Sequence, residues 1–146
     1  MVQYFTKEGL QKLKDELHYL KTTKNKEIVK LIAEAASHGD LKENAGYHDA
    51  RDKMSFLRMR IAELEGAINE AVIKEKEKTG KIQIGSEVEI LFGDEKQTYQ
   101  LVAPTEADVL KNKISYESPL GKKLMGHEAG KEVDFNGAKV KILEVK

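Results

Sequence analysis

Residues 50–71 read ARDKMSFLRMRIAELEGAINEA, and the spacing of their apolar side chains is the clearest structural pattern in the chain. The apolar residues recur at alternating intervals of four and three, at Ala50, Met54, Leu57, Ile61, Leu64, Ile68 and Ala71. This is a heptad seam, in which Ala50, Leu57, Leu64 and Ala71 occupy d positions and the others a positions. The pattern predicts a long helix from about Tyr47 to about Lys78, which Thr79 and Gly80 end.

A second apolar repeat precedes this seam and predicts a partner helix from about Lys7 to about Ser37. The repeat is interrupted after Leu20 and resumes four residues out of phase at Ile28. A stutter of this kind unwinds a supercoil locally without ending the helix. Gly39 is suited to follow the helix end, because glycine takes the left-handed conformation without a Cβ clash. We expect an antiparallel coiled-coil hairpin with these residues buried in its seam: Leu17, Leu20, Met54, Leu57, Ile61 and Leu64.

Beyond Gly80 the apolar period changes from helical to alternating, which predicts a second domain. Two strands flank a turn at Gly93-Asp94, and two more flank Asn136-Gly137, a dipeptide typical of type I′ hairpin turns. Between these pairs, Ser118-Pro119 has the pattern of a helix start. We therefore predict an α+β protein of two domains, with the coiled-coil hairpin in residues 1–78 and a mostly antiparallel sheet with one short helix in residues 79–146.

Composition excludes some classes of function and leaves others open. The 25 basic and 25 acidic residues balance, so bulk charge gives no argument for a nucleic-acid or membrane partner. There is no cysteine, which rules out disulfides and thiolate metal sites. No apolar run approaches the ~18 residues of a membrane span, and the N-terminus lacks the apolar core of a signal peptide. We expect a cytoplasmic protein that does not bind membranes.

The break between the helices, residues 38–45 (HGDLKENA), is where chemistry is expected, because nothing in it needs to be buried. Asp40 and Glu43 are three residues apart, so a helical turn that begins at Asp40 would bring their carboxylates together. One interpretation is a capping box that only starts the turn. The other is a pair of oxygen ligands for Mg²⁺, whose remaining ligands belong to a partner because two carboxylates do not fill an octahedron.

Aromatic and imidazole side chains next to the acidic pair suggest two further hypotheses. His38 and His48 could complete a nitrogen and oxygen site for zinc or manganese with Asp40 and Glu43, although the spacing matches no established motif. Tyr47 could stack on a base or simply cover the end of the seam.

Four basic residues flank the seam near this tip. Arg51 and Arg58 occupy e positions, and Lys53 and Arg60 occupy g positions. One interpretation is ordinary salt bridging across the hairpin. The alternative is a strip that faces a phosphate backbone, for which the arginine guanidinium is well shaped.

At these residues the sequence resembles the Gre family of transcript-cleavage factors, and its GreA branch in particular. The run from His38 to Ala45, followed by Tyr47-His48, is similar to the family's tip motif almost letter for letter. Other segments similar to the family lie along the whole chain: Thr6-Lys7-Glu8-Gly9-Leu10, Ile32-Ala33-Glu34-Ala35, Ile61-Ala62-Glu63-Leu64-Glu65, Gln97-Thr98-Tyr99, Glu106-Ala107-Asp108, Ile114-Ser115 and Ser118-Pro119-Leu120-Gly121.

The resemblance implies an FKBP-like C-terminal domain that docks on a bacterial-type RNA polymerase, while the coiled coil enters the polymerase's secondary channel. Asp40 and Glu43 would help to hold the polymerase's second Mg²⁺ and stimulate its own hydrolysis of the 3′ end of backtracked RNA. The protein would need no cofactor of its own, would be an accessory factor rather than an enzyme, and would be a monomer when free.

The same resemblance suggests which other residues make contacts. Near the tip, the residues expected to contact RNA or polymerase are Asn44, Tyr47, Arg51, Lys53, Arg58 and Arg60. In the C-terminal domain, the residues expected to dock on polymerase are Ser115, Ser118, Pro119, Leu120 and Gly121.

Two positions depart from the family and keep alternatives open. Gly46 stands where the family commonly has Glu, and Ala36 stands where Arg is expected before the tip. These changes could weaken activity, or mark a Gre-like channel binder that inhibits cleavage. A coiled-coil adaptor or chaperone with a merely capped turn is an alternative from another class. Prolyl isomerisation by the C-terminal half is a third, for which the supply of aromatic residues is thin.

Overall fold

The computed structural model describes all 146 residues, which form two compact units. The helical unit comprises Lys12–Asn69, and the sheet unit comprises Met1–Gln11 together with Glu70–Lys146. The sheet unit is therefore discontinuous in sequence, because the N-terminal segment belongs to it. The single boundary predicted between residues 78 and 79 differs from this division at both ends of the helical unit.

Helices α1 (Lys7–Tyr19) and α2 (Asn25–Ala36) are joined by a π-helical turn at Leu20–Lys24, and a tip segment leads from α2 to α3 (Ala45–Asn69). The predicted stutter thus lies within a continuous helical path, as expected. A π turn accommodates the phase shift because it takes an additional residue into one turn of helix.

The seam of the helical unit is an apolar contact between α2 and α3. Ile28, Met54 and Leu57 are buried together, and Leu20, Ile32 and Ile61 pack around them. Leu64 is fully buried as well. The predicted seam is confirmed at Met54, Leu57 and Leu64, whereas Leu17, Leu20 and Ile61 are only half-buried.

The second helix is shorter than predicted, because it ends at Asn69 rather than near Lys78. Ala71–Ile73 form strand β2, which pairs in parallel with strand β1, Gln3–Phe5. The amide of Lys74 also donates to the Phe5 carbonyl, at 2.8 Å. The backbone after α3 therefore finds its hydrogen-bond partners in the N-terminal strand, and Ala71 leaves the heptad.

The sheet unit is built on a five-stranded sheet in the order β5-β4-β3-β7-β6. Its strands are β3 (Glu87–Phe92), β4 (Glu95–Val102), β5 (Lys113–Ser115), β6 (Glu132–Phe135) and β7 (Ala138–Val145). All neighbours are antiparallel except β4 and β5, which are parallel. The two-domain α+β fold with a mostly antiparallel sheet is confirmed.

Local turn and cap signals in this unit are confirmed too. Asn136 and Gly137 have φ values of 50° and 80°, as a type I′ turn requires. Helix α4 (Pro119–Leu124) begins after Ser118, whose side chain accepts from the Gly121 amide. Leu124 on α4 is fully buried and joins a core formed by the sheet, with Val88, Ile90, Leu101, Val140 and Ile142. No helix in the chain combines the length and the apolar character needed to cross a bilayer.

Candidate functional site at the tip of the helical unit

The backbone of the tip is a compact turn between the end of α2 and the start of α3. Gly39 and Asp40 both have left-handed φ values, 79° and 41°. The Glu43 amide then donates to the Asp40 carbonyl at 3.2 Å, and this bond closes the backbone turn that contains both acidic residues. Left-handed backbone is common for glycine and less favourable for other residues, among which aspartate and asparagine adopt it most readily.

The side chains of Asp40 and Glu43 are exposed and make no hydrogen bond or ion pair within the chain. The capping box is not formed, because α3 begins at Ala45 and not at Asp40. Both carboxylates therefore face solvent with their oxygens available to a ligand from outside.

The four-residue zinc or manganese site is wrong. No three acidic, histidine or cysteine side chains come together in the chain as a group that could hold a metal ion. His48 instead lies with Nε2 2.8 Å from the Lys42 carbonyl oxygen, to which that ring nitrogen can donate. Asp40 and Glu43 alone supply too few oxygens to fill the octahedron of Mg²⁺. Their donor set fits a cation only as part of a site that another molecule completes.

Asn44 holds the two helix ends together. Its Oδ1 accepts from the Tyr47 amide at 3.0 Å, so Asn44 is the N-cap of α3. Its Nδ2 donates to the carbonyl of Ala35 at 2.6 Å and to that of Gly39 at 3.3 Å. The side chain predicted to contact RNA or polymerase thus makes internal bonds in this structure. Asparagine is a preferred N-cap residue, and that preference was the signal in the sequence for this role.

Tyr47 and Arg51 form a pair on the first turns of α3. The guanidinium carbon of Arg51 is 5.9 Å from the centre of the Tyr47 ring, and Nη1 donates to the Tyr47 hydroxyl at 3.3 Å. The ring of His48 meets that of Tyr47 edge-on, with centroids 5.8 Å apart. The Tyr47 ring is therefore held between a cationic group and an imidazole ring.

The four basic residues predicted to flank the seam divide into two kinds. Arg60 binds Glu16 across the hairpin, with Nη2 2.8 Å from Oε2 and Nε 3.2 Å from the same oxygen, and also contacts Glu63 at 3.3 Å. Lys53 pairs with Asp49 on its own helix at 3.3 Å. Salt bridging therefore accounts for Arg60 and Lys53.

Arg51 and Arg58 instead border an open cleft of about 230 Å³ between α2 and α3. The cleft is lined on its apolar side by Val29, Ile32 and Met54. Neither arginine makes an ion pair with a carboxylate. These two cations are the part of the predicted basic strip that is free to meet an anion.

The residues predicted to dock on polymerase form a tight turn in the sheet unit. Ser118 Oγ donates to the Ser115 carbonyl at 2.6 Å and accepts from the Gly121 amide at 3.0 Å. A Cβ atom at Gly121 would lie 2.0 Å from the Ser115 carbonyl oxygen, so no other side chain fits there. Leu120 packs against the core of the sheet, which leaves Pro119 as the exposed member of the group.

Two known protein families together match nearly the whole chain. The family described as "Transcription elongation factor, N-terminal" matches residues 3–73. The family described as "Transcription elongation factor, GreA/GreB, C-term" matches residues 76–146. The helices, the tip and the five-stranded sheet are therefore all covered by one pair of families.

Individual proteins are similar over the same extent. A transcription elongation factor GreA from Thermodesulfovibrio yellowstonii is 45% identical over 132 residues, which cover 88% of this chain and 84% of that protein. Another, from Nautilia profundicola, is 43% identical over 145 residues, which cover 96% and 90%. Among solved structures, the transcription factor Gfh1 aligns with a TM-score of 0.51 at 29% identity, over 99% of this chain and 97% of that one.

Proposed function

The chain belongs to the GreA/GreB family of transcription elongation factors, and we propose that it acts by carrying Asp40 and Glu43 into the active site of RNA polymerase. There it would stimulate the polymerase's own cleavage of the 3′ end of backtracked RNA, so that elongation resumes. The resemblance that the tip motif indicated is confirmed by these family matches. The cleavage role and the place of the tip in the secondary channel are the parts that we propose.

The observation that supports this proposal most strongly is the pair of unengaged carboxylates on a formed turn. A capping or bridging role within the chain would use at least one of their four oxygens in a hydrogen bond or ion pair, and none is used. Helix α3 has 25 residues and is therefore about 37 Å long, at about 1.5 Å per residue, so the tip stands well away from the far end of the hairpin. Such a tip can reach a recessed active site.

Asp40 and Glu43 would hold the second Mg²⁺ of the polymerase, which supplies water activation and charge stabilisation for phosphodiester hydrolysis. The chain by itself would neither bind that cation tightly nor cleave RNA, because two carboxylates leave most of the octahedron to water. The protein is thus proposed to be an accessory factor and not an enzyme. It would work in the cytoplasm, where such a polymerase transcribes.

Other residues on the same helix suit the handling of the extruded RNA. Arg51 and Arg58 border the cleft without carboxylate partners, and guanidinium groups bind phosphate well. Tyr47 presents a ring that a displaced base could stack on. In the sheet unit, we propose that the exposed Pro119 turn contributes to docking on polymerase.

A cleavage assay on a stalled, backtracked elongation complex tests the proposal. The unsubstituted protein should release short 3′ fragments only when polymerase is present. Asp40→Asn and Glu43→Gln should each lower the maximal stimulation by about 10²-fold, the equivalent of roughly 3 kcal/mol of transition-state stabilisation. Their affinity for polymerase and their thermal stability should not change, because neither carboxylate makes a hydrogen bond or an ion pair with the rest of the chain.

Asp52→Asn is the matched control. Asp52 is an exposed carboxylate on α3 that makes no ion pair, and it lies outside the acidic turn. Its neutralisation should leave stimulation intact. Normal stimulation by the Asp40→Asn and Glu43→Gln variants would refute the metal-donor role. Cleavage below the basal rate of the polymerase would identify an inhibitor, and failure to bind polymerase would favour an adaptor.

A further inference from the structure

We propose that Asn44 is a positioning residue for cleavage: its side chain holds the acidic turn in the shape in which Asp40 and Glu43 work together. This inference rests on the proposed function and deepens it. It gives Asn44 a different task from the contact with RNA or polymerase that the resemblance suggested.

The three hydrogen bonds of the Asn44 side chain connect residues on both sides of the acidic pair. One reaches back to Ala35 in the last turn of α2, one to Gly39 immediately before Asp40, and one forward to Tyr47 in the first turn of α3. Glu43 directly precedes Asn44 in the chain. The short segment that carries both carboxylates is therefore tied at both of its ends to a single amide group. We call these three bonds the Asn44 clasp.

The acidic turn needs such support because its own residues provide little. The side chains of Asp40 and Glu43 make no hydrogen bond or ion pair that could fix them, and Asp40 has a left-handed φ of 41°, which costs aspartate more than glycine. The turn itself is closed by one backbone bond, from the Glu43 amide to the Asp40 carbonyl. Displacement of a catalytic group by about 1 Å can lower a rate by about 10²-fold, so a loose turn would still reach its target but would act poorly there.

Two substitutions at Asn44 separate the N-cap bond to Tyr47 from the other two bonds of the clasp. Asn44→Ala removes all three bonds, whereas Asn44→Ser retains an N-cap oxygen for the Tyr47 amide but is too short to reach Ala35 and has no amide donor. Ser37→Ala is the matched control, since it removes a side-chain bond to the neighbouring carbonyl of Glu34 and leaves the clasp intact. Each variant is titrated against a backtracked complex, so that maximal cleavage rate and half-saturating concentration are measured separately.

Both Asn44 variants should lose about tenfold or more in maximal rate, with a half-saturating concentration within about twofold of the unsubstituted protein. In the free protein, the amide of Glu43 should exchange with solvent about tenfold faster in both variants, because the bond to the Asp40 carbonyl is no longer held. Ser37→Ala should change neither quantity.

A disulfide that replaces the clasp gives a rescue test. A Cβ atom at Gly46 would lie 4.0 Å from the Ala35 Cβ, within the range of about 3.5–4.5 Å for a disulfide. The chain has no cysteine to interfere. In the Asn44→Ser background, Ala35→Cys with Gly46→Cys should restore at least half of the maximal rate when oxidised, and dithiothreitol should abolish that gain.

Three results would overturn the inference. Full maximal rates in both Asn44 variants would show that the clasp is dispensable. A loss confined to the half-saturating concentration would make Asn44 a contact residue. An oxidised disulfide that forms but restores no activity would show that holding the helix ends is not what Asn44 contributes. Failure of the proposed function would be recognised differently, because the unsubstituted protein would then leave cleavage at the polymerase's basal rate, and the inference would fall with it.

Discussion

Ile28→Ala should lower the free energy of unfolding of the helical unit by more than substitutions on the surface of that unit do. Ile28 is 2% exposed and lies in the apolar contact between α2 and α3, against Met54 and Leu57. Its adjacent residue Val29 is 53% exposed, which makes Val29→Ala a matched control on the same helix.

The expected loss follows from the burial of this side chain. The substitution removes three buried carbons at about 0.8 kcal/mol each, or about 2.4 kcal/mol. Incomplete closure of the cavity adds about 1 kcal/mol, and the higher helix propensity of alanine offsets about 0.4 kcal/mol. The net loss in the free energy of unfolding is therefore about 3 kcal/mol. For Val29→Ala, the loss should stay within about 0.5 kcal/mol.

Urea unfolding followed by far-ultraviolet circular dichroism measures this difference, because α1, α2 and α3 hold most of the helical residues. Loss of less than about 1 kcal/mol in Ile28→Ala, or an equal loss in Val29→Ala, would contradict the burial of Ile28 in the α2–α3 contact. A partial transition that involves the helices while the sheet remains folded would agree with the division into two units.

Gly121→Ala should destabilise the sheet unit by about 3 kcal/mol or more, because its Cβ would lie 2.0 Å from the Ser115 carbonyl oxygen; an unchanged melting temperature would contradict this. Gly46→Ala should raise the stability of the helical unit by about 0.5–1 kcal/mol, since the new Cβ would meet no atom closer than 3.4 Å, and a lower urea midpoint would speak against it. Burial raises the pKa of Tyr116 above the ordinary 10.0, against the opposing bond from the Tyr4 amide. The stability that this group contributes should be full below pH 10.0 and lost as the pH rises through its folded pKa. Ultraviolet alkaline titrations of the unsubstituted protein and of Tyr116→Phe should differ by one tyrosine that ionises above pH 10.0.

Structural features that depend on residues close together in the sequence were predictable. The heptad from Ala50 to Leu64, the Asn136-Gly137 turn and the Ser118 cap each depend on residues a few positions apart, and each is present in the structure. Local pattern failed where a distant segment supplied the hydrogen bonds. Ala71 continues the heptad in sequence, yet Ala71–Ile73 pair with Gln3–Phe5, which no helical pattern signals.

The acidic pair at the tip was identified from sequence, but its support was not. The spacing of Asp40 and Glu43 fitted a capping box, whereas the cap is formed by Asn44, which also bonds to Ala35. A bond between a side chain and a carbonyl nine residues earlier depends on how the chain turns back, and spacing alone does not specify that path. The same limit applies to Arg58 and Arg60. Arg60 pairs with Glu16 across the hairpin and Arg58 has no carboxylate partner, a difference that depends on which side chains lie opposite each arginine.

The pairing of β1 with β2 has a consequence for the order in which the protein is made. On the ribosome, Gln3–Phe5 emerge before the helices, but the strand that they pair with follows α1, α2 and α3. The helices are neighbours in sequence and close over a short tip, so the hairpin can form as soon as α3 has left the exit tunnel. Strand β1 therefore remains unpaired until β2, which follows α3, has also been synthesised. A nascent chain arrested just after α3 would therefore carry a closed hairpin and a free N-terminal strand.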